Sequence, residues 1–472
     1  MLHPDRFEDL NEDALKRYNL ELTYNDSMPL WAGQWVWRMI NTKRPLEEKM
    51  SLFWHHLFAA AWYKSEHTPT MLKQIQLFRR VGMTDMQTIL VALAKDPAMN
   101  YWLDNCENHS DQPNENWGRE LLELFSMGVG NYTEDDIKNA ARAFTGWTFT
   151  QPIPLYPFGS YESDFEYVPE DHDDSEKTFL GYTGPLNGED IIEIVVKQEA
   201  TARFIARHLY NFFVADEPQV PSWSIEPPND PEAIEVLVKA FQDNDGQIVP
   251  VLRALFTSEF FKNTRHQKVK NPAELVAGTI KLVGTYQFPD PAESITALSG
   301  AASVMGQSLM NPPTVEGWHT GHEWIDGGTL HERVNFAVNQ FSDTTKPGIQ
   351  DIHSRLEGKL SPSELVERCL DLVGPLEVGE TTQAALIRHA NNIGEIDLDS
   401  EDARKEHADQ SAEFSNSSSH PASSSLHRFR DYTTPVAEHR LDRRPQYKRN
   451  QEARVTWQGM ETEKTRFWSS SS

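Results

Sequence analysis

The sequence predicts a mainly α-helical globular protein, a multi-helix array with two long loop-rich insertions and a small β-hairpin. Apolar residues recur at helical spacing in many segments from residue 28 onward. That spacing is lost over residues 148–190 and 305–330, which are rich in residues that favour turns. A hydrophobic content of 38% and 13 tryptophans are enough for a sizeable core.

The most tightly specified stretch, residues 114–147, predicts a helical hairpin. Asn114 is placed to cap a first helix, and Gly128 is the residue type that ends a helix in the left-handed conformation. Thr133 and Asp136 form a capping-box pattern that opens a second helix. The apolar stripes of the two helices are Trp117, Leu121, Leu124 and Phe125, followed by Ile137, Ala140, Ala141 and Phe144, with Gly146 closing the unit.

The same reasoning places the remaining elements along the chain. A polar break at residues 41–45 divides a helical region over 28–63, and Asp96-Pro97 starts another helix. The short alternating pieces FEYV and KTFLG predict a small hairpin or a long ordered loop within 148–190. Further helices are predicted over residues 69–80, 84–95, 190–214, 231–243, 248–262 and 271–285.

Charge and composition narrow the class of partner. A net charge of −27 disfavours nucleic acid and anionic membrane surfaces, because phosphate binding needs a basic footprint. No run of about 18 apolar residues predicts a transmembrane segment, and the first residues lack the order of a signal peptide. Cys106 and Cys369 lie far apart and match neither a disulfide framework nor a zinc site, so both are expected to be buried or incidental thiols.

Several long motifs occur in a fixed order along the chain, namely PNENWGRELLELFSMGVGNYTEDDIKNAARAFTGW, HDDSEKTFLGYTG, FIARHLYNFFV, VKNPAELV and MGQSLMNPPTVEGW. In this order they resemble the bacterial family called domain of unknown function 1800. The resemblance covers roughly residues 30–410 and implies a helical, frequently exported protein with no established reaction. It also implies a partner, an exported protein with sulfatase-like features that is often encoded nearby.

Two features depart from the family pattern. Family members commonly carry a second histidine two residues after the first in a FWHxHF motif, where this chain has Leu57 after His55 and His56. A metal site that needs both family histidines would be compromised, unless His56 substitutes from another helix face. Relatives also have more chain at the start, so residues 1–29 are expected to be a truncated or irregular N-terminal segment and localisation stays open.

The C-terminal stretch differs from the helical domain predicted over 30–412. Net charge changes from −31 over residues 1–413 to +4 over 414–472, where the helical pattern ends and a Ser-rich stretch begins. One interpretation is a disordered tail over 413–472. The other is a frameshift, because codons exist for EFSNSSSHPASSSLHR that, read one base out of register, encode ILQFIVASSEFQFA and then a stop.

The first candidate catalytic group is Glu120, Glu123 and Arg119 on the hairpin, together with His55. Glu120 and Glu123 share a helix face, and paired carboxylates bind metals or perform acid–base chemistry. The alternative is an intrahelical ion pair on a solvated face. His55 lies in an aromatic helix, where a buried histidine satisfied by hydrogen bonds is the alternative interpretation.

The first loop-rich stretch carries a candidate metal site at Asp171, His172 and Asp173. Carboxylate and imidazole ligands suit a divalent cation, which makes a divalent metal the candidate cofactor. The spacing does not match an EF-hand, and acidic residues in loops more often form solvated turns.

The second loop-rich stretch carries a candidate ligand site at Trp318, His319, His322 and Trp324. Tryptophan faces stack on sugars or cations, and the glycines nearby allow a ligand to approach the backbone. The alternative is a glycine-rich loop that the tryptophans anchor to the core.

Three functions remain open at this level. The favoured hypothesis is a non-catalytic exported accessory or scaffold protein that presents the two loops to a partner. The alternatives are a metal-dependent hydrolase with a His/Glu/Asp pocket, and a carbohydrate-binding module with a Trp platform. Whether the candidate residues converge in space discriminates among the three.

Overall fold

A computed structural model of the protein describes residues 28–392, apart from 66, 151–162, 219–222, 224–225, 266, 285–292, 357 and 375, together with 396–397. Helices dominate this part of the chain and strands are few and short, so the predicted fold class is confirmed. Residues 1–27 of the predicted N-terminal segment, the predicted tail after 412 with its frameshift hypothesis, and residues 151–162 of the first loop lie outside the described residues. Residues 28 and 29, which the prediction placed in that irregular segment, instead begin the first helix.

Many of the helices are separated by short turns, whereas the two loop-rich stretches interrupt the series after residues 143 and 304. They are α1 Met28–Asn41, α2 Pro45–Leu57, α3 Trp62–Ser65, α4 Thr68–Val81, α5 Met86–Ala94, α6 Pro97–Trp102, α7 Asn116–Glu123, α8 Glu134–Ala143, α9 Gly188–Val196, α10 Glu199–Phe213, α11 Pro231–Gln242, α12 Ile248–Thr257, α13 Glu259–Asn263, α14 Pro272–Val283, α15 Glu293–Val304, α16 Gly327–Phe341, α17 Pro347–Arg355, α18 Pro362–Val373 and α19 Glu380–Asn391. Short 3₁₀ helices cover Asn105–Glu107, Pro169–Asp171 and Gly321–Trp324.

Three antiparallel strand pairs accompany the helices in the part of the chain that the structure describes. The strands are β1 Trp147–Phe149, β2 Phe165–Tyr167, β3 Lys177–Phe179, β4 Tyr182–Gly184, β5 Lys359–Leu360 and β6 Ile396–Asp397, with β5 paired to β6. The KTFLG piece forms the predicted hairpin, in which β3 pairs with β4. The FEYV piece instead pairs with residues that follow the helical hairpin directly, so β2 lies beside β1.

The chain divides into two compact units between Arg355 and Leu356. In the first unit α1 packs on α14 and α15, α2 packs on α4, and α10 packs on α11. In the second unit α18 packs on α19, beside the β5–β6 pair. The prediction of one helical domain over 30–412 stays a prediction.

A continuous series of aromatic contacts joins α2 to the predicted hairpin. The Trp54 and Phe58 rings stack with centroids 5.1 Å apart, and Phe58 meets Phe125 edge-on at 5.4 Å. Trp117 and Phe144, from the two helices of the hairpin, are 5.6 Å apart. Aromatic pairs contribute beyond their buried area, so these contacts fix how the hairpin sits on the core.

The hairpin forms largely as its sequence predicts. The Thr133–Asp136 capping box is present at the start of α8, because each side chain accepts a hydrogen bond from the other residue's backbone amide. The regular part of α7 ends at Glu123, earlier than predicted. A wider turn follows, in which the amide of Gly128 donates to the carbonyl of Leu122 at 3.0 Å. Gly128 takes the expected left-handed conformation, with φ +78°.

The start of α7 differs by one residue from the prediction. Glu115, and not Asn114, occupies the N-cap position. The Asn114 side chain still accepts a hydrogen bond from the amide of Asn116, at 3.0 Å. Asn114 therefore supports the first turn from just outside the helix.

The second loop-rich stretch is held against the end of α2. Helix α2 stops at Leu57, before the predicted limit of residue 63. The amide of Met310 donates to Nε2 of His55 at 3.0 Å. The indole of Trp318 lies edge-on to the His55 ring at 5.3 Å. The FWHH motif therefore anchors this loop.

Two further predictions from the sequence concern the state of the two cysteines and whether any helix could span a membrane. Cys106 and Cys369 are half-buried free thiols. Among the described helices, none combines the length and the apolar character that crossing a bilayer requires.

Gly317 tests whether the loop is docked as described. Its φ is +84°, and an added Cβ would lie 2.3 Å from the backbone carbonyl oxygen of His56. Gly317→Ala is expected to lower the free energy of unfolding by about 2 to 4 kcal/mol, because strain at positive φ adds to overpacking. Gly130, at φ +93° with no atom of the described structure within 4 Å of an added Cβ, is the matched control. Gly130→Ala should cost about 1 kcal/mol.

The measurement is urea unfolding followed by tryptophan fluorescence, with the midpoint and slope compared among the three proteins. Equal losses in the two variants would contradict the close contact between Gly317 and α2.

Candidate functional site

The predicted catalytic group on the hairpin is divided among different partners. Arg119 pairs with Glu134 at 3.0 Å and with Glu115 at 3.1 Å, rather than with Glu123. Glu123 accepts a hydrogen bond from the hydroxyl of Tyr132 at 3.0 Å. The functional role of these residues stays a prediction.

Glu120 has the electrostatic character of an acid–base group, although it is only half-buried. Burial raises the pKa of Glu120 to about 7, and repulsion from Glu123 and Glu316 adds to the effect while Arg119 opposes it. Glu316 belongs to the second loop-rich stretch, so the hairpin and that loop face each other here.

His55 lacks the solvent access that a catalytic base needs. Its side chain is fully buried, and Nε2 accepts the amide hydrogen bond of Met310. Burial lowers the pKa of His55 to about 3, with repulsion from His56 as a smaller cause. A neutral, enclosed imidazole of this kind supports the loop, and the alternative interpretation holds only in part, because Nδ1 of His55 has no hydrogen-bond partner among the described residues.

The side chains of the predicted metal site bind other parts of the protein. Asp171 pairs with Nδ1 of His109 at 2.6 Å, and Nδ1 of His172 donates to the carbonyl of Thr145 at 2.9 Å. Asp173 pairs with Arg142 at 2.7 Å. These contacts attach the loop to the end of α8.

The described side chains do not form a shared metal site. Within the part of the chain that the structure describes, no group of three or more His, Cys, Asp or Glu is arranged to hold a metal ion. Although partial burial opposes it, hydrogen bonds from Arg142 and Ser175 lower the pKa of Asp173 to about 2. The metal and hydrolase interpretations stay predictions that this geometry does not favour.

The predicted ligand group of the second loop separates into buried rings and exposed imidazoles. Trp318 and Trp324 are only 5% and 6% exposed, so neither offers an open face to a sugar. His319 is exposed and pairs with Glu323 at 2.8 Å, and His322 is exposed. The carbohydrate-binding interpretation stays a prediction. The two buried rings anchor the loop to the core, as the alternative interpretation expects.

A cavity lies elsewhere, where α2, α10, α13 and α14 meet. Its volume is about 780 Å³, within the range of cavities that bind small molecules. Apolar side chains form much of the wall, including Leu52, Phe212, Phe213, Phe256 and Phe261.

The charged side chains of this cavity are mainly cationic. Glu48 and Glu274 are its two carboxylates among the described residues. Glu48 is 2% exposed and bound by Arg79 and Arg38. The basic side chains of the wall are Lys49, Lys262, Arg265, Lys268 and Lys270. We call this site the cationic cavity.

Glu274 joins the cavity to the start of α14. One of its carboxylate oxygens, Oε2, accepts the amide of Asn271 at 2.9 Å and the ammonium of Lys268 at 2.8 Å. The other oxygen, Oε1, contacts the ammonium of Lys49. The residue that completes the capping box of α14 is therefore also the residue that positions two lysines.

Both lysines have lowered affinity for protons. Burial lowers the pKa of Lys268 to about 8, with repulsion from Lys270 adding to the effect and Asp216 opposing it. The Lys49 side chain is 32% exposed, and it lines the cavity. Desolvation of its ammonium lowers the pKa of Lys49 well below the usual range, with repulsion from Lys268 and Lys270 as further causes.

Comparison with models of protein families matches residues 5–429 to the one described as protein of unknown function (DUF1800). The chain belongs to the DUF1800 family. The resemblance carried by its motifs is thus confirmed. No curated protein and no solved structure matches the chain. Because the DUF1800 description names no reaction, the chemistry of the cavity rests on its own side chains.

Sequence patterns do not predict the cationic cavity of this DUF1800 protein, because its walls come from helices far apart in the chain. One local signal is present. Residues 262–270 carry four Lys and Arg and no Asp or Glu, in a chain of net charge −27. This local reversal of charge is a sequence feature that distinguishes the stretch from the rest of the acidic chain.

The lowered pKa of Lys268 is testable by competitive labelling. Above about pH 8 its amine should lose its proton and react with acetic anhydride, whereas exposed Lys197, whose pKa the carboxylate of Glu193 raises, should react only at higher pH. Lys270→Gln should move the Lys268 midpoint upward, because one repelling charge is removed. Labelling is measured by mass spectrometry of peptides across a pH series. If Lys268 titrates together with Lys197, the described environment is wrong.

Proposed function

We propose that this protein is a non-catalytic accessory protein that binds an organic anion in the cationic cavity. The observation that carries the proposal is the concentration of five Lys and Arg side chains around one cavity of about 780 Å³, in a chain of net charge −27. Charge complementarity of this kind favours an anionic ligand over cationic or neutral ones.

The carboxylate partners of the basic side chains support an anionic ligand more specifically, because some of these side chains have none within the described part of the chain. Lys262 pairs with Glu259 at 2.6 Å, and Lys268 pairs with Glu274. Among the described residues no carboxylate lies within ion-pair distance of Arg265 or Lys270. A guanidinium presents a planar set of donors that matches carboxylate, sulfonate or phosphate oxygens, so Arg265 is the natural contact for the acid group.

The apolar wall supports a ligand with an apolar body. The ammonium of Lys49 lies 5.0 Å from the centroid of Phe212 and 5.8 Å from that of Phe213. Phe256 and Phe261 face each other edge-on with centroids 5.2 Å apart. An aromatic or aliphatic body would bury apolar area against these rings while its acid group reaches the cations.

The proposal also includes a partner protein. This is the exported protein with sulfatase-like features that the family resemblance implies. Both loop-rich stretches are attached to the helical core where they are described, through Arg142–Asp173 and through His55–Met310. Loops held in this way present a fixed surface, which is what a scaffold for a partner needs.

Binding is testable with 8-anilinonaphthalene-1-sulfonate, a fluorescent anion with an aromatic body. We expect saturable binding that weakens as salt is added, because screening reduces the attraction between charges. Arg265→Gln and Lys268→Gln should each weaken binding about tenfold, equivalent to about 1.4 kcal/mol for a lost charged hydrogen bond. Fluorescence titration gives the dissociation constants.

The matched control is Lys239→Gln, which makes the same change of charge at an exposed lysine paired with Asp243. It should leave the dissociation constant unchanged. N-phenyl-1-naphthylamine, the uncharged relative of the probe, should not distinguish the variants from the unaltered protein. Binding of the anionic probe that is indifferent to Arg265→Gln and Lys268→Gln would contradict the proposal.

A further inference from the structure

Two lysines of the cationic cavity share a single carboxylate. The Lys49 ammonium contacts one oxygen of Glu274, and the Lys268 ammonium lies 2.8 Å from the other. Both ammonium groups also lie over the ring of Phe212, at 5.0 and 5.5 Å from its centroid. One negative charge beside an apolar ring balances one ammonium and not two.

The surroundings decide which lysine keeps its proton. Lys268 has a second acid nearby, because Asp216 favours its charged form. Lys49 follows Glu48 in the chain, but that carboxylate is bound by Arg79, Arg38 and the indole of Trp35. Lys268 is therefore the lysine that keeps its proton more readily, and the Lys49 nitrogen is the one that more readily becomes a neutral amine.

We propose that Lys49 is the nucleophile of a Schiff-base site, whose ligands are organic anions that carry an aldehyde or a ketone. The inference rests on the proposed anion binding and adds the chemical class of the ligand. A partly buried neutral amine beside other cationic groups is an environment in which lysine attacks carbonyl carbon. Desolvation and repulsion from Lys268 and Lys270, which lower the pKa of Lys49, agree with this assignment.

The step needs no co-reactant. The lone pair of Nζ of Lys49 attacks the carbonyl carbon, the carbon–oxygen π bond opens, and a proton passes from nitrogen to oxygen to give a carbinolamine. The nitrogen lone pair then forms the carbon–nitrogen double bond as the hydroxyl group leaves with a proton as water. Glu274 is placed to accept the proton from nitrogen, and the Lys268 ammonium is placed to donate one to the departing hydroxyl.

The cavity also holds such a ligand in a defined direction. Arg265 and Lys270 are available to the acid group, while Phe212 and Phe213 flank the Lys49 amine. The carbonyl must then lie at the end of the ligand that points toward α2. An anion without a carbonyl would bind in the same place without reacting.

Reductive trapping tests the assignment on the full chain. The protein is incubated with 4-formylbenzoate and sodium cyanoborohydride, and adducts are located by mass spectrometry of peptides. We expect a saturable adduct on Lys49 that excess 4-(hydroxymethyl)benzoate, the same anion without a carbonyl, suppresses. Benzaldehyde, which lacks the acid group, should label Lys49 much less at equal concentration.

Two variants separate reaction from binding. Lys49→Arg has no primary amine and places a charged guanidinium where the neutral amine stood, so it should lose the adduct while the added charge keeps 4-(hydroxymethyl)benzoate bound, as measured by calorimetry. Lys239→Arg, at an exposed position away from the cavity, should keep the Lys49 adduct. Adducts spread over exposed lysines, or an adduct that persists elsewhere in the cavity of Lys49→Arg, would overturn the Schiff-base assignment.

The two proposals fail in different ways. If 4-(hydroxymethyl)benzoate binds but 4-formylbenzoate leaves no adduct on Lys49, the Schiff base is wrong and anion binding stands. If neither benzoate binds, and the naphthalenesulfonate probe does not bind either, both proposals are wrong.

Discussion

The carboxylate of Glu274 is the group on which the cationic cavity depends. It closes the capping box of α14 through the amide of Asn271, and it holds the ammonium groups of Lys49 and Lys268. Helix capping and ligand chemistry therefore use the same side chain. Because the cap fixes where the carboxylate lies, the two lysines are positioned by the helix itself rather than by a flexible loop.

A second constraint concerns two family motifs whose polar side chains resemble catalytic groups. The FWHH motif buries His55 beneath the loop that follows α15, where it receives the amide of Met310. The HDDS motif attaches the first loop to α8 through Asp173 and Arg142. In both cases a polar side chain bonds to a backbone or charged partner, as buried polar groups generally do. Both motifs therefore have a structural role in holding the loops.

The contrast between hairpin and cavity shows what local sequence can predict. The capping box of Thr133 and Asp136 was predictable because both partners lie within one helical turn. The end of α7 was misplaced because apolar spacing continues through Phe125, whereas the amide of Phe125 bonds to the carbonyl of Glu120 in a wider turn. The cavity joins α2 to residues more than 160 positions later, and no local pattern reports such proximity. Its basic stretch, residues 262–270, was the available signal.

The most direct measurement of the central claim is a crystal structure of the protein with 8-anilinonaphthalene-1-sulfonate bound. We expect the sulfonate to lie within hydrogen-bond distance of Arg265 or Lys270, about 3.5 Å or less. The naphthalene rings should pack against Phe212 and Phe213. Glu274 should also keep its contacts with both lysines. A probe bound elsewhere on the chain, with the cationic cavity filled only by solvent, would contradict the account.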